Sequence, residues 1–179
     1  MFEFVVDNEV VLKSLDTKHA DQLCELTNSC RPYLKEWVPW FKGAKSVEDI
    51  NAFIEMTKAQ FASNNGFKAG IWYKGSIAGV IGFYGMNWSN KSASIGYWLG
   101  ASYQGNGVMT KACKVLVDYA FEELKLNRVE VRCATGNSRS RGIPERLGFV
   151  KEGIIRDGEW LYDHHVDEVV YGILSRDWL

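Results

Sequence analysis

Gly105 and Gly107, two apart in Tyr103-Gln104-Gly105-Asn106-Gly107-Val108-Met109-Thr110, are the residues whose type and spacing most clearly suggest chemistry. A glycine has no Cβ, so it takes backbone dihedrals closed to other residues and lets N–H groups approach a bulky anion. The following run, Val108 to Phe121, has apolar residues at helical spacing and leaves Lys111, Lys114 and Asp118 for solvent. The loop therefore opens onto a helix N-terminus, whose partly positive end favours negative charge. Together these features predict a pyrophosphate cradle built from Gln104, Gly105, Asn106, Gly107, Val108, Met109 and Thr110. A lone Gly-x-Gly more often makes an ordinary loop, so the flanking strand and helix carry the prediction. A dinucleotide fingerprint is excluded, because it needs a third glycine and an acidic residue about twenty positions on.

The elements that must position this loop are legible on either side of it. Ser92 to Leu99 reads as the strand before it, ending in the apolar Ile95-Gly96-Tyr97-Trp98-Leu99. A second strand, Val129 to Ala134, leads into Asn137-Ser138-Arg139-Ser140 and a further helix, and two such units in succession imply neighbouring strands. Upstream, Val10 to Ser14 forms a first strand, and Asp16 N-caps a helix through His19, Leu23, Cys24 and Leu26. Ser46 and Asp49 form a capping box for a helix with Ile50, Phe53, Ile54, Thr57 and Phe61 as its buried stripe, stopped by Asn64-Asn65-Gly66. Phe67 to Tyr73 and Ile77 to Tyr84 flank the hairpin signal Lys74-Gly75. Phe149 to Arg156 and a last strand through Val166, Val169, Tyr171 and Ile173 complete a mixed α/β sheet.

These motifs resemble the GCN5-related N-acetyltransferase (GNAT) superfamily. Its coenzyme motif is a strand, a loop of the form Gln/Arg-x-x-Gly-x-Gly/Ala and a helix, followed by Asn, here Asn137, and a closing Leu147-Gly148-Phe149. Ile-Gly-Tyr-Trp-Leu, Tyr-Gln-Gly-Asn-Gly and Glu152-Gly153 are most similar to the branch that acetylates N-terminal amines of ribosomal proteins. The resemblance spans nearly the whole chain. It implies the acyl-CoA N-acyltransferase fold: a mixed, mostly antiparallel sheet, splayed at the cofactor site and flanked by helices, in one domain over residues 1–179. It also implies acetyl-CoA as co-substrate, direct transfer in a ternary complex, and a protein N-terminus or a small amine as acceptor. Dimerisation is suggested by the resemblance alone.

Within that resemblance, the backbone N–H groups of Trp98 and Leu99 would hold the oxyanion and the pantetheine arm, a task suited to donors fixed before charge develops. The wider superfamily often places a proton-donating tyrosine five residues before the Phe of Leu-Gly-Phe, and this chain has Pro144 there. Proline cannot donate, and inside a helix it leaves a carbonyl near Ser140 without its usual partner. The ribosomal-protein branch implies Ser140 as the partner of the departing thiol; otherwise Ser138 and Ser140 only cap a helix. For the base, an α-amine of pKa about 8 is mostly protonated at neutral pH, so a carboxylate is needed. The branch implies Glu159, in Arg156-Asp157-Gly158-Glu159-Trp160, where an apolar cleft beside Trp160 would raise its pKa. Asp157, Asp163, His164 and His165 compete with it. Ser102 stands where the family usually carries Gln or Arg, so Gln104 or Asn106 would compensate at the pyrophosphate.

The acceptor side is marked mainly by aromatic residues. Trp37, Trp40, Phe41, Asn87, Trp88 and Trp160 either line a cleft or anchor loops to the core. A covalent acetyl-cysteine on Cys133 is disfavoured, since that residue lies in an apolar strand with no assured cation to activate it. Cys24, Cys30, Cys113 and Cys133 lack paired metal spacing, so reduced thiols and no metal are expected. A formal net charge of -1 argues against an electrostatic grip on nucleic acid. The absence of a signal-like start or a long apolar run points to a cytoplasmic protein without a membrane span. The function readings are three: α-amine acetylation, acetylation of a small amine (a polyamine, an aminoglycoside or an amino acid derivative), and a coenzyme-binding module without turnover.

Overall fold

The computed structural model describes residues 1–39, 43 and 46–179. Two strands, β1 (Glu3–Val5) and β2 (Val10–Ser14), precede two helices, α1 (Ala20–Leu34) and α2 (Val47–Ala62). Three strands follow: β3 (Lys68–Tyr73), β4 (Ser76–Asn87) and β5 (Ser92–Leu99). Then come α3 (Val108–Glu122), β6 (Arg128–Ala134), α4 (Ser138–Arg146), β7 (Val150–Leu161) and β8 (His164–Leu174). The eight strands form one open sheet in the order β1-β2-β3-β4-β5-β6-β8-β7, antiparallel throughout except for β5 and β6. This is the mixed, mostly antiparallel α/β sheet that the sequence implies.

Each face of the sheet buries its own core. Leu12, Ile71, Ile81, Ile95, Val129 and Tyr171 pack with Ala112, Leu116 and Val117 of α3. On the other face Trp72, Val80 and Trp98 pack with Leu23 of α1 and Ile50 and Ile54 of α2. Such full burial of an Ile or Leu side chain contributes about 1.5–3 kcal/mol, so both helical layers are held chiefly by these contacts. The alternation of β4 disappears over Ile77–Phe83, which is buried at every position because helices cover both faces.

Local signals act largely as their chemistry predicts. The Ser46 hydroxyl accepts the Asp49 N–H at 3.2 Å and the Asp49 carboxylate accepts the Ser46 N–H at 3.0 Å, closing the capping box of α2. Lys74 and Gly75 both have positive φ, as the tight β3–β4 hairpin requires. Asp16 opens a 3-10 turn over Thr17–His19, and the regular helix starts only at Ala20, because His19 Nδ1 accepts the Asp16 N–H at 3.0 Å and tightens that turn. In α2, Ile50, Ile54 and Thr57 are buried, whereas Phe61 is 49% exposed and lies at the helix end against Phe2 and Phe67. β4 runs on to Asn87 through an irregularity at Gly85, and β7 runs on to Leu161, five residues beyond the expected end. β1 is too short and too exposed to carry a clear pattern.

Candidate active site

The two halves of the sheet join in one short ladder. β5 and β6 pair only over Ser92–Ser94 against Arg128–Glu130, and beyond it the strands part. Gly100 N–H donates to the Ala78 carbonyl at 2.7 Å, so alternation along β5 turns the Trp98 amide toward β4 and the amides of Tyr97 and Leu99 toward the opening. The Tyr33 hydroxyl donates to the Leu99 carbonyl from that side. Leu99 thus presents its backbone groups to the opening. Trp98 contributes its buried indole to the wall, while its amide serves the sheet.

At the end of β5 the glycine loop turns into α3. Gly105 has φ 81° and Gly107 φ 72°, and a Cβ on either would meet nothing within 4 Å. The glycines are required for their left-handed backbone, with open space before them. The first α3 bond runs from Lys111 N–H to the Gly107 carbonyl at 3.1 Å, which leaves the amides of Val108, Met109 and Thr110 without helical partners at the mouth. The side chains of Val108 and Met109 are core, and the Thr110 hydroxyl accepts from Arg146 at 3.1 Å, so these positions face the loop through their backbone. Asn106 Nδ2 donates to the carbonyls of Tyr103 and Gln104 at 3.2 Å each and braces the loop internally. Gln104 Nε2 donates to the Tyr33 hydroxyl at 3.0 Å, and its Oε1 accepts from Arg139. Sequence reasoning missed both partners. A basic residue in the first turn of the helix after β6 was the available signal for Arg139.

A cleft of about 340 Å³ fills the opening between β5 and β6, lined by Tyr97, Trp98, Cys133, Asn137, Ser140 and Glu159 among others. On one wall Asn137 caps α4, its Oδ1 accepting the Ser140 N–H at 3.3 Å. The Ser140 hydroxyl lies 3.4 Å from Cys133 Sγ. Pro144 removes the amide that would bond the Ser140 carbonyl, and the Tyr97 hydroxyl supplies the missing donor at 2.8 Å from across the opening. Burial raises the Cys133 thiol above its ordinary pKa, which opposes a thiolate nucleophile there.

Glu159 enters from the other wall. It lies on β7 rather than on a loop, and burial, followed by the neighbouring Glu168 carboxylate, pushes its pKa up to about 7. Trp160 is not the cause. Neighbouring residues of a strand point to opposite faces, and Trp160, 54% exposed, sets its ring 4.7 Å from that of His165, away from the cleft. His164 pairs with Asp163 at 2.6 Å at the exposed β7–β8 turn. Trp37 lines the cleft with its ring against Gly136, whereas Asn87 lies on an adjoining cleft of about 630 Å³ and accepts the Asn90 N–H at 2.8 Å. Trp88 ties the β4 end to the α2 end through Nε1–H to the Asn64 carbonyl at 2.9 Å. Trp40 and Phe41 lie outside the described residues. Cys24, Cys30, Cys113 and Cys133 are all buried and in no disulfide, and among the described residues no group of three or more His, Cys, Asp and Glu could hold a metal. Among the same residues no helix is long and apolar enough to cross a membrane.

A sheet splayed between β5 and β6 over a cleft, with a glycine loop running into a helix N-terminus at the end of β5, is an arrangement fit for acyl transfer. The chain belongs to the GNAT acetyltransferases, whose acetyltransferase domain model matches residues 9–150. It is 38% identical over 179 residues to YdaF of Bacillus subtilis (strain 168), covering 99% of this chain and 98% of that one. It is 26% identical over 166 residues to the ribosomal-protein-serine acetyltransferase of Escherichia coli (strain K12), covering 93% of each. Among solved structures it resembles the microcin C7 self-immunity acetyltransferase MccE in complex with acetyl-CoA and AMP. That similarity has a TM-score of 0.90 at 29% identity and covers 94% of each chain.

Proposed function

We propose that this protein transfers the acetyl group of acetyl-CoA to a primary amine, with the N-terminal α-amine of a ribosomal protein as acceptor, as one domain and by direct transfer. The observation that carries the reading is the cleft in which the Tyr97–Trp98 strand edge, Ser140 and Glu159 converge, just before Leu99. The glycine loop and the α3 amides would receive the pyrophosphate, with Arg139 adding positive charge. The bound coenzyme supplies an acyl group activated as a thioester. Glu159 takes one proton from the incoming ammonium, a transfer suited to its raised pKa, which lies close to that of an α-amine. The nitrogen lone pair then forms the new C–N bond while the C–S bond breaks, and the Leu99 amide steadies the oxygen on which charge develops. One of the two remaining nitrogen protons passes to the thiolate, with the Ser140 hydroxyl hydrogen-bonded to sulfur, and the other stays on the amide product. The relatives named for ribosomal-protein acetylation support the choice of acceptor.

A small cationic amine is the second reading, favoured by the adjoining cleft, where Glu130, Glu159 and Glu168 outnumber Arg128 and Arg132. Thiol release from acetyl-CoA, with a peptide bearing a free N-terminal serine beside the same peptide with a blocked amine, decides between them. Release with the free amine alone is expected. Release only with polyamines or aminoglycosides would overturn the protein acceptor.

A further inference from the structure

The cleft between β5 and β6 and the adjoining cleft share four lining residues, Tyr84, Arg132, Glu159 and Glu168. These form the throat through which an acceptor in the outer space would reach the reacting carbonyl. Glu159 is brought there by a bulge in β7. Ile155 stands opposite Glu168 and Glu159 opposite Val166, so Arg156, Asp157 and Gly158 face Asp167 alone. The bulge is pinned, because Asp157 has φ 50° and its N–H donates to Asp167 Oδ1 at 2.8 Å. Gly158 completes the arrangement: a Cβ there would lie 2.7 Å from Glu168 Oε2 and 3.0 Å from its Cγ. The Glu168 carboxylate therefore occupies the space that a side chain at 158 would need, directly beside Glu159.

The cations that line the two clefts have other partners, Lys68 Nζ donating to Gln60 Oε1 at 3.4 Å. Arg132 Nε donates to Glu130 Oε1 at 2.5 Å, and Arg128 is shared between Glu130 and Glu152 at 2.6–2.7 Å. Among the described residues neither Glu159 nor Glu168 has an ion-pair partner within 4 Å. Burial and the nearby Glu168 hold the Tyr84 phenol above its ordinary pKa, so it stays neutral. Arg132 acts on Glu168 through space without pairing with it, and two adjacent carboxylates with no ion-pair partner of their own are costly unless a cation or a proton is held between them.

We propose that Glu168 is a positioning residue of the acceptor site, holding the ammonium form of the incoming amine against Glu159 at the throat and directing its proton to Glu159. The ammonium N–H bond breaks, Glu159 becomes the neutral acid, the nitrogen keeps the electron pair, and Glu168 stays ionised. This rests on Glu159 as the base, and the test separates the two statements. Carbon-13 titration of the glutamate carboxyls in the full-length protein, with Glu159→Gln identifying the Glu159 signal, gives its midpoint without turnover. Glu168→Gln is expected to lower that midpoint by about one pH unit. With the N-terminal-serine peptide it should also raise KM more than it lowers kcat and shift the acid limb of kcat/KM down in pH, and Glu168→Asp should restore part of both. Gly158→Ala, which displaces Glu168 without removing its charge, should move the midpoint in the same direction and covers a folding failure of the first variant. An unchanged midpoint and pH profile in Glu168→Gln would overturn the role of Glu168. Full turnover by Glu159→Gln would instead overturn the base, whatever the titration shows.

Discussion

The coenzyme side and the acceptor side of the cleft are built from different materials. Around β5 and α3 the groups on offer are backbone amides, placed by glycines with positive φ and by a strand that loses its neighbour after three residue pairs. Around β7 and β8 they are side-chain carboxylates, aimed by a bulge in a strand exposed at every position except Glu159 and Leu161. On the proposed function the first construction would meet an invariant shape, a pyrophosphate and an extended arm, and backbone geometry suffices for that. The second must meet an acceptor whose charge changes during the reaction, and only titratable groups can do that.

Substitutions can break this division in order of expected effect. Glu159→Gln should lower kcat/KM by about 10²- to 10⁴-fold while leaving CoA affinity unchanged, read by steady-state kinetics beside calorimetric CoA titration. The sign of its effect on stability is the opposite. A carboxyl whose pKa is raised from 4.5 to about 7 on folding binds its proton more tightly in the folded state. It therefore costs stability above pH 7 and costs nothing below about pH 4. Chemical denaturation should find Glu159→Gln more stable than the parent at pH 8 and equal to it at pH 4.

The coenzyme side should respond in the converse way. Gly107→Val places a β-branched residue at φ 72°, a strain of about 1–2 kcal/mol. Calorimetric titration should show CoA binding weakened by about tenfold, with kcat at saturating coenzyme nearly unchanged. The smallest effect belongs to the tie between the two sides. Tyr97→Phe removes the donor to the Ser140 carbonyl and should cost about 1 kcal/mol of unfolding free energy in urea, with lesser changes in either substrate's binding.

The same division decides what the sequence discloses. Glycines at 105 and 107, the Lys74-Gly75 turn and the Ser46 capping box are local signals with local consequences, and each is found where its chemistry puts it. Pro144 discloses a missing bond but not its remedy, because the Tyr97 hydroxyl arrives from a strand forty-three positions away. Arg156-Asp157-Gly158 reads as a break, since a left-handed Asp and a glycine resemble a turn, yet the ladder with β8 resumes beyond it. Glu168 follows Asp167 at the polar start of the last strand with nothing to distinguish it from its neighbour, and only the bulge opposite gives it a place beside Glu159. Trp160 misleads for a simpler reason: adjacency in sequence becomes opposition across a strand.

The hydroxyl of Tyr97 also has a bearing on the order of assembly. A helix of nine residues is marginal by itself, and α4 has exchanged one of its own bonds for one supplied by a distant strand. The Ser140 carbonyl gains its partner only when β5 has found its place in the sheet. Ser140 is therefore fixed from two directions, by the Asn137 cap of its own helix and by β5 across the opening, so the two walls of the cleft are registered to each other at this residue.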